Sequence, residues 1–268
     1  MNFLILGDIC GPAGMEAVKT KLQDIIKKKN IDFTIVNGEN AADNGKGITK
    51  KNFNELINAG VDVVTSGNHI WDQKEITDVI DKEKRLIRPQ NLLDGQPGNG
   101  YGIFEYQEKK IAVINVIGNV FMKKSQNVFT AIEKLMNKLK LNKNVDFIIV
   151  DVHGEITSEK MALGHLLDGK VTSVVGTHTH VPTSDFKILV NGTAYQTDLG
   201  MCGDYDSVIG MNKENSLKKF LKVSSATQHF PATGEATICG VIVEADNSSG
   251  LAKKIDQIIF GGTLKENF

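Results

Sequence analysis

Short apolar runs alternate with amphipathic stretches along most of this chain. The runs fall at residues 3–6, 33–37, 61–65, 111–116, 147–151 and 173–177, and their length and continuity predict buried strands. Between them, residues 13–29, 49–59, 73–84, 127–139 and 158–167 repeat apolar side chains with a period near 3.6, which predicts helices. Gly60, directly after Leu56-Ile57-Asn58-Ala59, stands where a helix C-terminal cap is expected. Strand and helix in alternation predict an α/β protein with parallel strands at its centre. The pattern changes after residue 185: residues 187–190, 193–196 and 236–244 read as strands, the first two around the hairpin signal Asn191-Gly192. No linker, low-complexity segment or internal repeat interrupts the chain, so residues 1–268 read as a single domain.

The polar residues that follow each run carry the chemistry. The first run ends in Gly7-Asp8, the second in Asn37-Gly38-Glu39-Asn40 and the third in Ser66-Gly67-Asn68-His69. The run at 147–151 leads to His153-Gly154-Glu155, and that at 173–177 to His178-Thr179-His180. Open α/β sheets place their functional crevice at the carboxyl ends of the strands, where these residues collect. Four of the six histidines (His69, His153, His178 and His180) stand at such ends, while His165 falls in a helical stretch and His229 in a late loop. A scatter of unrelated core histidines would not gather in this way.

Imidazoles from His153, His178 and His180, carboxylates from Asp8 and Glu39, and amide oxygens from Asn40 and Asn68 make a mixed nitrogen and oxygen donor set without thiolate. Such a set suits manganese, iron or zinc better than calcium, which prefers oxygen cages. Seven donors exceed what one catalytic zinc takes and match two metals that share a carboxylate. His178 and His180, two residues apart on an extended segment, would point to the same side and serve one metal each.

Composition adds constraints rather than a function. The chain has 268 residues, 41% hydrophobic and 24% charged, with a formal net charge of −1; nothing global steers it to nucleic acid or to a membrane. Arg85 and Arg88 are its only arginines, so phosphate would have to be met by metals, backbone amides or lysine rather than by guanidinium forks. Cys10, Cys202 and Cys239 are too few and too far apart for a disulfide framework. No apolar run approaches the roughly 20 residues of a bilayer span, and the opening residues lack a basic leader. A cytoplasmic protein is expected.

In their order, Gly7-Asp8, Gly38-Glu39-Asn40, Gly67-Asn68-His69, His153 and Gly176-Thr177-His178-Thr179-His180 resemble the motifs of calcineurin-like metallophosphoesterases of the YmdB-like bacterial subfamily. The resemblance runs from residue 1 to about residue 245 and extends to residues 88–91, 154–160 and 197–203. Asp8-Ile9-Cys10 replaces the usual Asp-x-His, and Glu39 replaces a bridging Asp, both as in that subfamily. The resemblance implies two mixed β-sheets packed together and flanked by helices. It implies that Asp8, Glu39, Asn40 and His180 hold one metal and that Glu39, Asn68, His153 and His178 hold a second. Two divalent or trivalent ions are implied, iron or manganese first, zinc or magnesium as alternatives. Members that resemble this chain hydrolyse cyclic nucleotide phosphodiesters, 2′,3′-cyclic monophosphates above all, and self-associate as homo-oligomers.

The expected reaction is attack on phosphorus by a hydroxide bridging the metals, with His69 protonating the leaving oxygen. Glu155 is a candidate to orient His153, and nucleotide recognition is expected near 88–91, 155–160 and 198–205, with Tyr205 or Phe121 as candidates to stack on a base. Two other metal-site readings stand beside this one: a phosphomonoesterase or nucleotidase on the same residues, and a metal-stabilised regulatory protein without catalysis. A dinucleotide-binding turn through Gly7, Gly11 and Gly14 has the wrong spacing, and Asp8 would oppose the pyrophosphate.

Overall fold

A computed structural model describes all residues from Met1 to Phe268. Two six-stranded sheets form its centre. The first half of the chain supplies β1 (Asn2–Cys10), α1 (Gly11–Lys29), β2 (Phe33–Asn40), α2 (Lys50–Asn58), β3 (Val63–Thr65) and α3 (Ile76–Val79). Then come β4 (Tyr101–Tyr106), β5 (Lys109–Ile117), α4 (Val128–Lys138), β6 (Phe147–His153), α5 (Thr157–Leu167) and β7 (Ser173–Thr177). The remainder forms β8 (Lys187–Ile188), β9 (Ala194–Gln196), β10 (Met201–Asp204), α6 (Lys213–Phe220), β11 (Ala236–Ala245) and β12 (Ala252–Phe260).

One sheet has the order β12-β11-β10-β1-β2-β3 and the other β4-β5-β6-β7-β9-β8. Strands β1, β2 and β3 run parallel, as do β5, β6 and β7, so each sheet gathers the carboxyl ends of its central strands at one end. Phe3, Ile5, Phe33, Ile35, Val63, Phe147, Ile149 and Val175 form the apolar layer between the sheets. The outer face of the first sheet packs Leu4, Leu6 and Val36 against Val18, Leu22, Phe53 and Leu56 of α1 and α2. On the second sheet, Ile114, Ile148 and Val150 meet Ile132, Leu135 and Leu163 of α4 and α5. This is the predicted pattern of buried runs and one-sided helices, and the layered α/β architecture with two mixed sheets stands as expected.

Three elements differ from the periodicity. Only Ile76–Val79 is helical within the predicted 73–84; Ile76, Val79 and Ile80 are buried as their spacing requires, but turns on either side achieve it. Helix α6 carries almost no apolar repeat and gave no signal. In β12, Ile255 joins the layer between the sheets and Ile258 the outer layer against the helices; three apart, they face opposite sides of the strand, so neither face shows an apolar alternation.

Candidate metal centre

The strand ends do not simply stop before the polar residues; several run through them. β1 changes partner along its length, pairing with β11 over Asn2–Leu6 and with β10 at Asp8 and Ile9. Its register with β2 shifts on either side of Asp8, the mark of a bulge that re-aims a side chain. Asp8 is thereby turned into the crevice, and β2 likewise carries Glu39 and Asn40 as its last residues. The loop after β3 brings Asn68 and His69, β6 ends on His153, and the segment after β7 brings His178 and His180. Glycine is required at one point: a Cβ on Gly67 would lie 2.2 Å from the His153 ring.

All seven candidate ligands meet in one place. His153 Nε2 lies 3.1 Å from Asn68 Oδ1 and 3.1 Å from His178 Nδ1, and 3.5 Å from Glu39 Oε1. His180 Nε2 lies 3.1 Å from Asn40 Oδ1. Asp8 Oδ2 accepts the His178 N–H at 3.0 Å, and its Oδ1 is 3.7 Å from His153 Nδ1. Glu39 Oε1 accepts the His69 N–H at 2.6 Å.

Three of the donors are oriented from behind. The Asn40 amide gives its N–H to Gly45 O at 2.8 Å, leaving Oδ1 toward His180. His180 Nδ1 lies 2.8 Å from Ile209 O, so it carries the proton there and Nε2 is the free nitrogen. Thr177 Oγ1 donates to Asp151 Oδ1 at 2.8 Å and stands 3.0 Å from His153 Nδ1, which fixes His153 with Nε2 facing its neighbours. Asp151 also accepts from Asn37 at 2.9 Å and Thr65 at 2.5 Å, so a buried polar plug joins the two sheets directly beneath the site.

Two of the sequence expectations are corrected here. His178 and His180 are not on an extended segment: their φ values are 101° and 65°, and this left-handed backbone, rather than strand pleating, aims both rings inward. Glu155 does not orient His153; its Oε2 is 3.2 Å from His178 Nε2, and Thr177 holds His153 instead.

Several side chains of the segments expected to read a nucleotide are engaged within the protein. Arg88 is spent on the carbonyls of Pro97, Pro89 and Gln96, and Asn91 is buried against Ile117 and Gln126. Lys160 and Asp198 form a buried ion pair. The Tyr205 hydroxyl accepts the Met201 N–H at 2.8 Å, whereas Phe121 is 85% exposed. What sequence reasoning missed is a second group around the ligands. Asp72 Oδ2 stands 2.7 Å from His69 Nδ1 as its hydrogen-bond acceptor, and Lys123 Nζ donates to Asn68 O at 2.6 Å. Thr177, between Gly176 and His178, was visible in sequence only as part of its motif.

Electrostatics fit the donor set to cations. Burial holds the carboxyls of Asp8 and Glu39 well above the usual carboxylate range. It also depresses the imidazoles, His153 strongly, His178 to about 4 and His180 as well, so they are neutral and able to ligate. Asp8 Oδ1 and Glu39 Oε2 are buried and take no hydrogen bond from the protein. Buried ionised carboxylates cost several kcal/mol each unless paired or bound to metal. Unpaired carboxylate oxygens, neutral imidazoles and fixed amide oxygens facing one another fit metal ions.

The fold alone is shared at low identity with a 5′-nucleotidase precursor from Thermus thermophilus (12% identical, TM-score 0.53, covering 97% of this chain and 54% of that one). A family model described as YmdB-like protein matches residues 4–258, and the chain belongs to the YmdB-like family. A 2′,3′-cyclic-nucleotide 2′-phosphodiesterase from Bacillus subtilis is 42% identical over 259 residues, 97% of each chain. The crystal structure of a phosphatase from Mycoplasma pneumoniae is 38% identical with a TM-score of 0.90, covering 97% of this chain and 93% of that one. No helix is long and apolar enough to cross a membrane.

Proposed function

We propose that the chain is a metal-dependent phosphodiesterase that hydrolyses cyclic nucleotide monophosphates, 2′,3′-cyclic ones preferred. The observation that carries this reading is the pair of buried carboxylates, Asp8 and Glu39, each with an unpaired oxygen among three neutral imidazoles. The name of the Bacillus relative supports the substrate class. Asp8, Glu39, Asn40 and His180 would hold one ion, and Glu39, Asn68, His153 and His178 the other. Bound there, two metals supply charge stabilisation at the phosphoryl oxygens and an activated water.

The remaining groups handle substrate and protons. His69 lines the same cavity as Glu39 and His180, and Asp72 holds its Nδ1. Its Nε2 is then the nitrogen left to give a proton to the leaving oxygen, a step that requires both ring nitrogens to be protonated beforehand. Lys123, anchored on Asn68 O, and Lys46 on the cavity wall bring cationic charge to the substrate in place of arginine.

The test is hydrolysis of adenosine 2′,3′-cyclic monophosphate with manganese or iron, alongside bis-p-nitrophenyl phosphate and a nucleoside 3′-monophosphate. Turnover of the diesters, abolished by chelator and restored by metal, is expected. Turnover of the monoester alone would replace the reading by a phosphomonoesterase, the activity class named for the Mycoplasma structure. Metal binding without any turnover would leave a regulatory metal protein.

A further inference from the structure

One cavity of about 270 Å³ is lined by Glu39, Asn40, His69, His178 and His180. Its lining also includes an apolar group, Val208, Ile209, Met211 and Phe220, beside Lys46, Ser216 and His229. Phe220 is 77% exposed and Ile209 57%, an unusual disposition for large apolar side chains beside a polar centre. Ile209 also has φ of 48°, where a β-branched residue is an outlier, and such outliers cluster at functional sites. Its carbonyl is the acceptor that holds His180 Nδ1, so the apolar wall and the ligand set are tied together by one hydrogen bond.

A second observation points to a ligand. Ser216, one helical turn before Phe220 on α6, lines the same cavity, and its hydroxyl is fully buried with no hydrogen-bond partner. Buried hydroxyls are ordinarily paired. An occupant of this part of the cavity must therefore be flat and apolar on its faces, polar at an edge, and short enough in its linkage to reach the phosphoester at the ligands.

Resting on the phosphodiesterase reading above, we propose that this face is a nucleobase subsite. Phe220 is its stacking platform, Ile209 and Met211 its walls, and the Ser216 hydroxyl its edge contact. A hydroxyl both donates and accepts, and stacking is indifferent to sequence. The subsite therefore requires a base without choosing among the four.

The experiment compares each cyclic nucleotide with ribose 2′,3′-cyclic phosphate, which has the same reacting group and no base. In Phe220→Ala the ratio of kcat/KM for nucleotide over ribose phosphate is expected to fall about tenfold, and in Ser216→Ala by a smaller factor. The fully exposed Val190 lies outside the cavity, and Val190→Ala should leave the ratio as it is. The binding of adenosine 3′-monophosphate, measured by calorimetry on the metal-loaded protein, should weaken in parallel. Equal loss on both substrates, or no change in the ratio, overturns the proposal. So does a change of oligomeric state in Phe220→Ala, which would make the face a contact between copies. If the wild type hydrolyses no diester, the proposed function fails, and the calorimetry decides alone: weaker nucleotide binding in Phe220→Ala supports the subsite, and equal binding overturns it.

Discussion

The amide oxygen of Asn40 faces His180 Nε2 at 3.1 Å across 140 residues of sequence, with the amide turned that way by its own N–H bond to Gly45 O. The resemblance implies that Asn40 holds a metal; in the structure it has its oxygen presented and its nitrogen occupied elsewhere. Asn40→Ala should leave the secondary structure intact and lower metal content from about two ions per chain toward about one. Elemental analysis with circular dichroism measures both, and undiminished metal content would remove Asn40 from the ligand set.

Lys160 tests how the ligand loop is held. Its ammonium is buried, 2.7 Å from Asp198 Oδ2 and 2.9 Å from Thr177 O, and Asp198 also accepts the N–H groups of Thr179 and Gly200. The left-handed segment that carries His178 and His180 is thereby clamped between α5 and the approach to β10. Lys160→Met leaves the Asp198 charge uncompensated and should lower stability by about 3–5 kcal/mol. Adding Asp198→Asn should recover part of that loss. Chemical denaturation of the single and double variants measures it.

His69→Ala removes the expected proton donor but no ligand. Turnover of a cyclic diester should fall roughly 10²–10⁴-fold, with both ions still bound. A leaving group of low pKa, such as p-nitrophenolate, needs less protonation, so the loss should be smaller on bis-p-nitrophenyl phosphate. A variant that loses metal instead would show His69 to be a ligand.

The thiols give a pH prediction. Cys202 and Cys239 are buried side by side in the first sheet; burial pushes the Cys239 thiol up to about 12 and the Cys202 thiol upward as well. The unfolded chain ionises its thiols near the ordinary value of 9.0, so above that pH the unfolded state sheds protons that the native state retains. Stability from this source is intact below about pH 9 and declines as pH rises toward 12. Both residues should resist iodoacetamide at pH 8 in the native protein and react on unfolding, as mass spectrometry of the alkylated chain would record.

Much of this molecule was written plainly in its pattern of apolar residues. Runs such as Phe147–Asp151 sit between two covered faces, so they are apolar throughout, and the donors just beyond them fall into one crevice because parallel strands end together. The edge elements were obscure for the converse reason. β12 buries only Ile255 and Ile258 deeply, and α6 buries almost no apolar side chain. Side-chain orientation was equally hidden: Thr177 behind His153, and Asp72 behind His69, are set by backbone geometry that no spacing encodes. The base-facing wall escaped notice because Val208, Ile209 and Met211 look in sequence like any short buried run.

The two sheets also separate the donors in the order of synthesis. Asp8, Glu39, Asn40 and Asn68 come from the first sheet and the loop after its edge strand, whereas His153, His178 and His180 come from the second. Asn68 and His153 are 85 residues apart, a separation that takes roughly 4–17 s to synthesise. On a ribosome the oxygen donors therefore emerge well before any of the three imidazoles. Yet the sheet that carries those oxygen donors is the last to be completed, because β1 pairs with β10 and β11 near the end of the chain, so the donor set is held in its final place only when nearly all of the chain has been made.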